Sequence, residues 1–304
     1  MSEPFVAAVD WGTSNFRVWL LDSDGIVLAE RQSAEGMQGL AKDEFAGVLD
    51  QHLAELKAGA DLPVVIAGMA GARTGWIETA YLAVPANLDA LAHGAVKAPH
   101  PARQVYILPG VCQRAPLAYD VMRGEETQLA GALAEGHQNG IFCLPGTHSK
   151  WACLEDGVLT GFTTMMTGEL FDLISRQSIL RLSVDTSSNT GLDMSAFSDA
   201  VEETFAQGFS LMSALFSIRA GGLLANVPPP AATARLSGLL IGSEISAALK
   251  MFPDKNTVYL VGSERLNGLY GEALRIATRP SVVLDGAKLV RRGLFAAAET
   301  LFSR

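Results

Sequence analysis

The sequence predicts an α/β chain built from two related halves, and three observations carry that prediction. At 304 residues, and with roughly 150 residues to a domain, the length suits about two domains, each able to bury a full core. Short apolar runs alternate with stretches of helical period, the pattern of sheets flanked by helices. A weak internal repeat relates Gly12-Thr13 to Gly146-Thr147, and each hairpin goes on to an Asp-Gly turn, Asp24-Gly25 and Asp156-Gly157. Such a repeat implies two related domains facing one another.

Residues 5–10 are a short apolar run ending in a carboxylate, residues 11–15 supply a turn, and residues 16–21 form a second β-rich run; together they predict a hairpin. Asp22-Ser23-Asp24-Gly25 turns again, and residues 26–30 read as a third strand. Residues 43–57 carry Phe45, Val48, Leu49, Leu53 and Leu56 at helical spacing. Residues 62–67 form a wholly apolar strand that runs into Gly68-Met69-Ala70-Gly71, and a strand of that kind after a helix suggests a mixed sheet. The theme returns with strands at 141–144, 150–154 and from 158 onward, separated by turns at 145–149 and 155–157. Helices follow around 201–224 and 237–251, then a strand at 257–261, a helix at 266–277, a strand at 281–284 and a terminal helix at 289–301. Asn226-Val227-Pro228-Pro229-Pro230 reads as a Pro-rich loop, too short to link domains.

Composition narrows the function. The chain is 49% hydrophobic and 18% charged, with 30 Gly and 13 Pro, the profile of a compact enzyme. Lys and Arg number 23 against 32 Asp and Glu, a net charge of −9, and no polybasic run relieves it. Phosphate backbones and anionic lipids are repelled by such a surface, so no nucleic-acid or membrane partner is expected. Cys112, Cys143 and Cys153 are odd in number and lack CxxC spacing, which points to buried thiols in a reducing cytoplasm. No basic leader segment opens the sequence, and apolar runs such as 64–67 fall far short of the ~20 residues of a membrane span.

The two glycine turns suggest the chemistry. A strand ending in Asp10, followed by Gly12, Thr13 and Ser14, puts backbone N–H groups and hydroxyls at a hairpin tip, where they can surround a phosphate while Asp10 holds magnesium through water. Gly146, Thr147, His148 and Lys150 offer a similar cradle in the second half. One such turn is most often only a hairpin; two at matching places in repeated halves favour a nucleotide. His148 either donates to phosphate or caps its turn, and it has no second His or Cys at ligand spacing to hold zinc.

These residues carry a resemblance. Asp10-Trp11-Gly12-Thr13-Ser14 resembles the first phosphate motif of the actin-like ATPase and sugar-kinase superfamily. Pro145-Gly146-Thr147-His148-Ser149-Lys150-Trp151 resembles the second, and Val261-Gly262-Ser263 the adenosine motif. The segments Gly68-Met69-Ala70-Gly71-Ala72-Arg73-Thr74-Gly75-Trp76, Arg123-Gly124-Glu125-Glu126-Thr127-Gln128 and Met165-Met166-Thr167-Gly168-Glu169 resemble the 2-dehydro-3-deoxygalactonokinase family, and the likeness runs nearly end to end. It implies two ribonuclease H-like (actin-like ATPase) domains with mixed five-stranded sheets flanked by helices, divided at 1–112 and 113–304. It also implies phosphorylation of 2-dehydro-3-deoxy-D-galactonate at its terminal hydroxyl, with ATP and Mg2+, in galactonate breakdown.

On this resemblance Glu125 is the expected base, with Glu126 as rival; otherwise both glutamates only complement a helix dipole. Asp10 is the expected magnesium carboxylate, Lys150 and Arg17 are phosphate helpers or solvated strand residues, and Gly262 and Ser263 meet adenosine. For the sugar acid, Arg73 is the expected carboxylate partner with Trp76 as a wall or else a core aromatic, and Arg123 is the alternative cation. Gly36, Met37, Thr167 and Glu169 are expected to complete that pocket. The apolar stripe of 201–224 is read as helix packing or the face of a homodimer. Two other functions stay open: a kinase for another sugar acid such as 2-dehydro-3-deoxygluconate, and a nucleotide-gated sensor without catalysis.

Overall fold

The computed structural model describes residues 2–116, 118–186, 192–253 and 257–302. The first strands are β1 (Val6–Trp11), β2 (Phe16–Leu21) and β3 (Val27–Ser33), followed by helix α1 (Phe45–Glu55) and strand β4 (Val64–Gly68). Shorter strands follow: β5 (Tyr81–Ala83), β6 (Ala86–Asn87), β7 (Val96–Lys97), β8 (Val105–Ile107), β9 (Gly110–Gln113) and β10 (Asp120–Met122). Next come α2 (Glu125–Ala134), β11 (Gly140–Leu144), β12 (Ser149–Glu155), β13 (Val158–Met165) and α3 (Thr167–Gln177). The remainder is mainly helical, with α4 (Met194–Thr204), α5 (Leu211–Leu224), α6 (Pro229–Met251), β14 (Val258–Leu260), α7 (Glu264–Ile276), β15 (Ser281–Val283) and α8 (Gly286–Phe302).

The chain divides into two compact units. The first comprises Met1–Asn139, Cys153–Phe162 and Asp285–Arg304, and the second Gly140–Ala152 and Thr163–Leu284. In the first, the sheet order is β3-β2-β1-β4-β8-β7. Strand β1 is apolar on both faces because both are covered. Val9 and Trp11 pack with Phe45, Leu49 and Leu53 of α1, while Val6 and Ala8 pack with Val290, Leu294 and Phe295 of α8. Each such Leu, Val or Phe contributes about 1.5–3 kcal/mol by leaving water. A small sheet of order β10-β9-β5 carries the chain to Arg123 and Gly124.

The second large sheet contains the order β15-β14-β11-β12-β13, with β14 parallel to both β11 and β15. It matches β8-β4-β1-β2-β3 strand for strand, so the repeat read from the glycine turns is a repeat of topology. In both copies the glycine turn joins the central strand to its antiparallel neighbour. Cys112, Cys143 and Cys153 are free and buried. Among the described residues no helix is long and apolar enough to cross a membrane.

Three expectations are corrected. Each large sheet has six strands rather than five, because β7 joins the edge beside β8 and β6 pairs with Val158 and Leu159 of β13. Strands of two residues are too short to show a period. Residues 229–230 are not loop but the first turn of the 23-residue α6, since proline is tolerated where a helix has no N–H partners to lose. The stripe at 201–224 breaks between α4 and α5 rather than running on.

Candidate active site

In the first unit, β1 delivers Asp10 to the end of the sheet, paired with Arg17 on β2 and with Ala67 on β4. Burial pushes the Asp10 carboxyl up to about 6, with Arg17 opposing the rise and Glu125 adding to it. An acid held this way binds either a proton or a metal cation. The turn beyond it is closed by the Gly12 N–H donating to the Asn15 carbonyl at 2.9 Å, leaving Thr13 and Ser14 exposed.

Gly36 and Met37 lie beneath that turn. The Met37 and Gln38 N–H groups donate to the Gly12 and Thr13 carbonyls, each at 3.0 Å. A Cβ on Gly36 would lie 2.2 Å from the Thr13 oxygen, so only glycine lets the two backbones meet. The Met37 side chain is part of the core. These residues brace the first glycine turn.

Helix α2 brings the paired glutamates to the same place. A Cβ on Gly124 would be 3.6 Å from Gly68 Cα, and one on Gly68 would be 3.5 Å from Asp10 Oδ1. Gly124 holds φ at +111°, a backbone that a side chain rarely allows, and this bend starts the helix. The two glutamates then differ sharply. Glu126 is 1% exposed, and both its oxygens accept from the Gly124 N–H, at 2.8 and 2.7 Å. Burial, and then the charge of Glu125, push its carboxyl up to about 7. Glu125 is partly exposed and accepts the Arg123 N–H at 3.1 Å.

The expected sugar-acid residues of this unit separate into exposed and engaged. Arg73 is exposed on the loop after the 3-10 turn Met69–Gly71. The Arg123 guanidinium donates to the Thr79 carbonyl at 3.0 Å and to its hydroxyl, and it stands 4.4 Å over the Tyr81 ring. Trp76 is 4% exposed and stacks on Phe45 at 5.8 Å, inside the core cluster.

In the second unit, the turn between β11 and β12 exposes Thr147 and His148. The Lys150 ammonium is buried and donates to the His148 carbonyl at 3.0 Å. Helix α3 starts against the same turn: the Glu169 N–H donates to the Thr147 carbonyl at 3.0 Å, and the Glu169 carboxylate pairs with the His148 ring. Thr167 and Glu169, expected in the sugar pocket, therefore stand at the second glycine turn.

A cavity of about 320 Å³ opens beside this turn, with Gly146 and Gly168 at one side and Leu240, Ile241, Ser263 and Leu269 among its walls. Its size and largely apolar lining suit a nucleoside. Ser263 caps α7 by accepting the Leu266 N–H, and the Gly262 carbonyl accepts from the Asn267 amide at 2.9 Å. A Cβ on Gly262 would be 3.2 Å from Pro145, so the expected adenosine residues adjoin the second glycine turn.

Sequence reasoning missed Glu244. It is 3% exposed on α6, accepting the Trp151 indole N–H and the Tyr270 hydroxyl at 2.7 Å each. The available signal was an acid inside the apolar run 239–245, costly unless several donors meet it. Among the described residues no group of three or more His, Cys, Asp or Glu is arranged to hold a metal.

The chain is similar to known proteins over nearly its whole length. A family model described as 2-keto-3-deoxy-galactonokinase matches residues 10–297. A curated protein of Rhizobium meliloti (strain 1021), "Probable 2-dehydro-3-deoxygalactonokinase DgoK1", is 48% identical over 299 residues, 98% of each chain. The 2-dehydro-3-deoxygalactonokinase of Escherichia coli (strain K12) is 32% identical over 268 residues, 88% of each chain. The crystal structure of a candidate 2-dehydro-3-deoxygalactonokinase from Sinorhizobium meliloti matches with a TM-score of 0.94 at 47% identity, over 99% of this chain and 100% of that one. An activator of 2-hydroxyisocaproyl-CoA dehydratase from Clostridium difficile, solved with bound ADPNP, matches with a TM-score of 0.52 at 14% identity, over 97% and 95% of the two chains, a likeness of fold alone.

Proposed function

The chain belongs to the 2-keto-3-deoxy-galactonokinase family, and from that premise we propose that it uses ATP to phosphorylate the terminal hydroxyl of 2-dehydro-3-deoxy-D-galactonate, giving the 6-phosphate in galactonate breakdown. The observation that carries this reading is the match to a relative of that name at 48% identity over 98% of both chains. It is a sugar-acid kinase, and its three buried cysteines suit a reducing cytoplasm.

The transfer asks little covalent chemistry of the protein. The acceptor oxygen forms a bond to the γ-phosphorus, the bond from that phosphorus to the β–γ bridging oxygen breaks, and ADP leaves with the electron pair. Glu125 takes the acceptor's proton. It is preferred to Glu126 because Glu126 has both oxygens on the Gly124 N–H and almost no exposed surface to offer a substrate. Gly12, Thr13 and Ser14 of the first turn and Gly146, Thr147 and His148 of the second supply donors for phosphate oxygens, with Lys150 holding the second turn in shape. Ser263 meets the adenosine at the 320 Å³ cavity, with Gly262 directly before it.

Asp10 fits a hydrated magnesium ion: it is a nearly buried carboxylate, pushed up to about 6, with one cationic neighbour opposing the rise. When bound, that ion would offset the charge on the phosphate oxygens. Arg73 is the proposed partner of the substrate carboxylate, since the Arg123 guanidinium is already held by Thr79 and Tyr81.

ADP release, measured across a panel of aldonates and keto-deoxy acids with wild type and Glu125→Ala, tests the reading. Wild type should turn over 2-dehydro-3-deoxygalactonate best, and the variant should lose roughly a thousandfold in kcat with little change in KM for ATP. A different best acid, absence of turnover with any acid, or near-normal turnover in the variant contradicts it.

A further inference from the structure

Glu244 has no task in the phosphoryl-transfer scheme, yet it is the hub of a buried network in the second unit. Its Oε1 accepts the Trp151 Nε1–H and its Oε2 the Tyr270 hydroxyl, both at 2.7 Å. The Thr167 and Ser149 side chains also hydrogen-bond to it. Ser149 Oγ also lies 3.0 Å from Tyr270 Oη.

The four donors come from the elements that shape the nucleotide site. Ser149 and Trp151 begin β12 directly after the second phosphate turn. Thr167 is the first residue of α3, and a Cβ on the next residue, Gly168, would lie 2.4 Å from the Gly146 carbonyl. Thr167 and Tyr270 both line the 320 Å³ cavity. One carboxylate thus ties together the strand leaving the turn, the helix packed on the turn and the wall of the cavity. A buried polar network with every member satisfied is rigid.

We propose that Glu244 is a positioning residue for the nucleotide, holding the second phosphate turn in register with the adenosine wall. This rests on the reading of that cavity as the nucleoside site. Glu244→Gln keeps the shape but turns an amide N–H toward one of the donors, and Tyr270→Phe removes one donor alone.

The test combines ATP binding by titration calorimetry, KM for both substrates, and thermal melting for wild type and both variants. Glu244→Gln should raise the ATP Kd and KM by about tenfold or more, leave the KM for the sugar acid within about twofold, and melt cooperatively; Tyr270→Phe should move ATP binding in the same direction by less. Unchanged ATP binding in Glu244→Gln, or parallel losses in both KM values with a lowered melting temperature, overturns the proposal. If Glu244→Gln does not fold, Tyr270→Phe decides by the same criteria. Wild type that binds no ATP overturns the nucleotide reading as well, whereas wild type that binds ATP beside an unaltered variant overturns the positioning role alone.

Discussion

Glu125 and Glu126 are neighbours in sequence and opposites in environment. One step along a helix turns a side chain by about 100°, enough to carry Glu126 into the interior while Glu125 stays partly exposed. That an acidic pair opens α2 is legible from Gly124 and the helical pattern after it; which member sinks is not, because it depends on the elements that pack on α2 from far away in sequence, above all α8. Glu244 is hidden for the same reason: an acid in an apolar helix is visible, but its donors on β12, α3 and α7 are not.

The buried state of Glu126 has a measurable consequence. Its carboxyl rises from 4.5 to about 7 on folding, so the protonated form favours the native state. That contribution is fully present below the unfolded value and is lost as pH rises through about 7. The loss is on the order of 3 kcal/mol. Glu126→Gln does not ionise, so in magnesium-free buffer its melting temperature should gain on wild type between pH 5 and pH 8. A difference between the two proteins that does not change with pH would show that Glu126 is not held protonated.

At the scale of elements, the loop after β3 is the instructive case. Gly36 and Met37 look like pocket residues in the sequence because glycine and methionine suit a ligand wall as readily as a brace. Their hydrogen bonds run instead to the first glycine turn. Gly36→Ala would place a methyl 2.2 Å from the Thr13 oxygen, and backbone cannot yield as a side-chain tip does. The variant should raise KM for ATP by roughly tenfold and cost about 1–3 kcal/mol of stability. Steady-state kinetics with a thermal melt checks this, and an unchanged KM would remove the loop from the phosphate site. The start of α6 shows the limit of compositional reading, since three prolines are a loop signal and two of them also open a helix well.

At the scale of the molecule, five strands of each large sheet repeat one order, and the glycine turns sit at the same joint in each. This was legible from Gly12-Thr13 and Gly146-Thr147 because a tight turn from the central strand to its neighbour constrains both sequence and topology. The edge strands β6 and β7 and the small sheet were not, being too short to carry a period. A net charge of −9 argues against nucleic acid but not against ATP, for which exposed turn donors act locally against the global field.

The central claim is a phosphoryl transfer to one hydroxyl of one acid, and phosphorus NMR of the product tests it most directly. With ATP, Mg2+ and 2-dehydro-3-deoxy-D-galactonate, the protein should give a phosphomonoester signal coupled to the two protons of C6, matched by ADP. A spectrum showing only ADP and inorganic phosphate, or a phosphoryl group on any other carbon, would contradict the account.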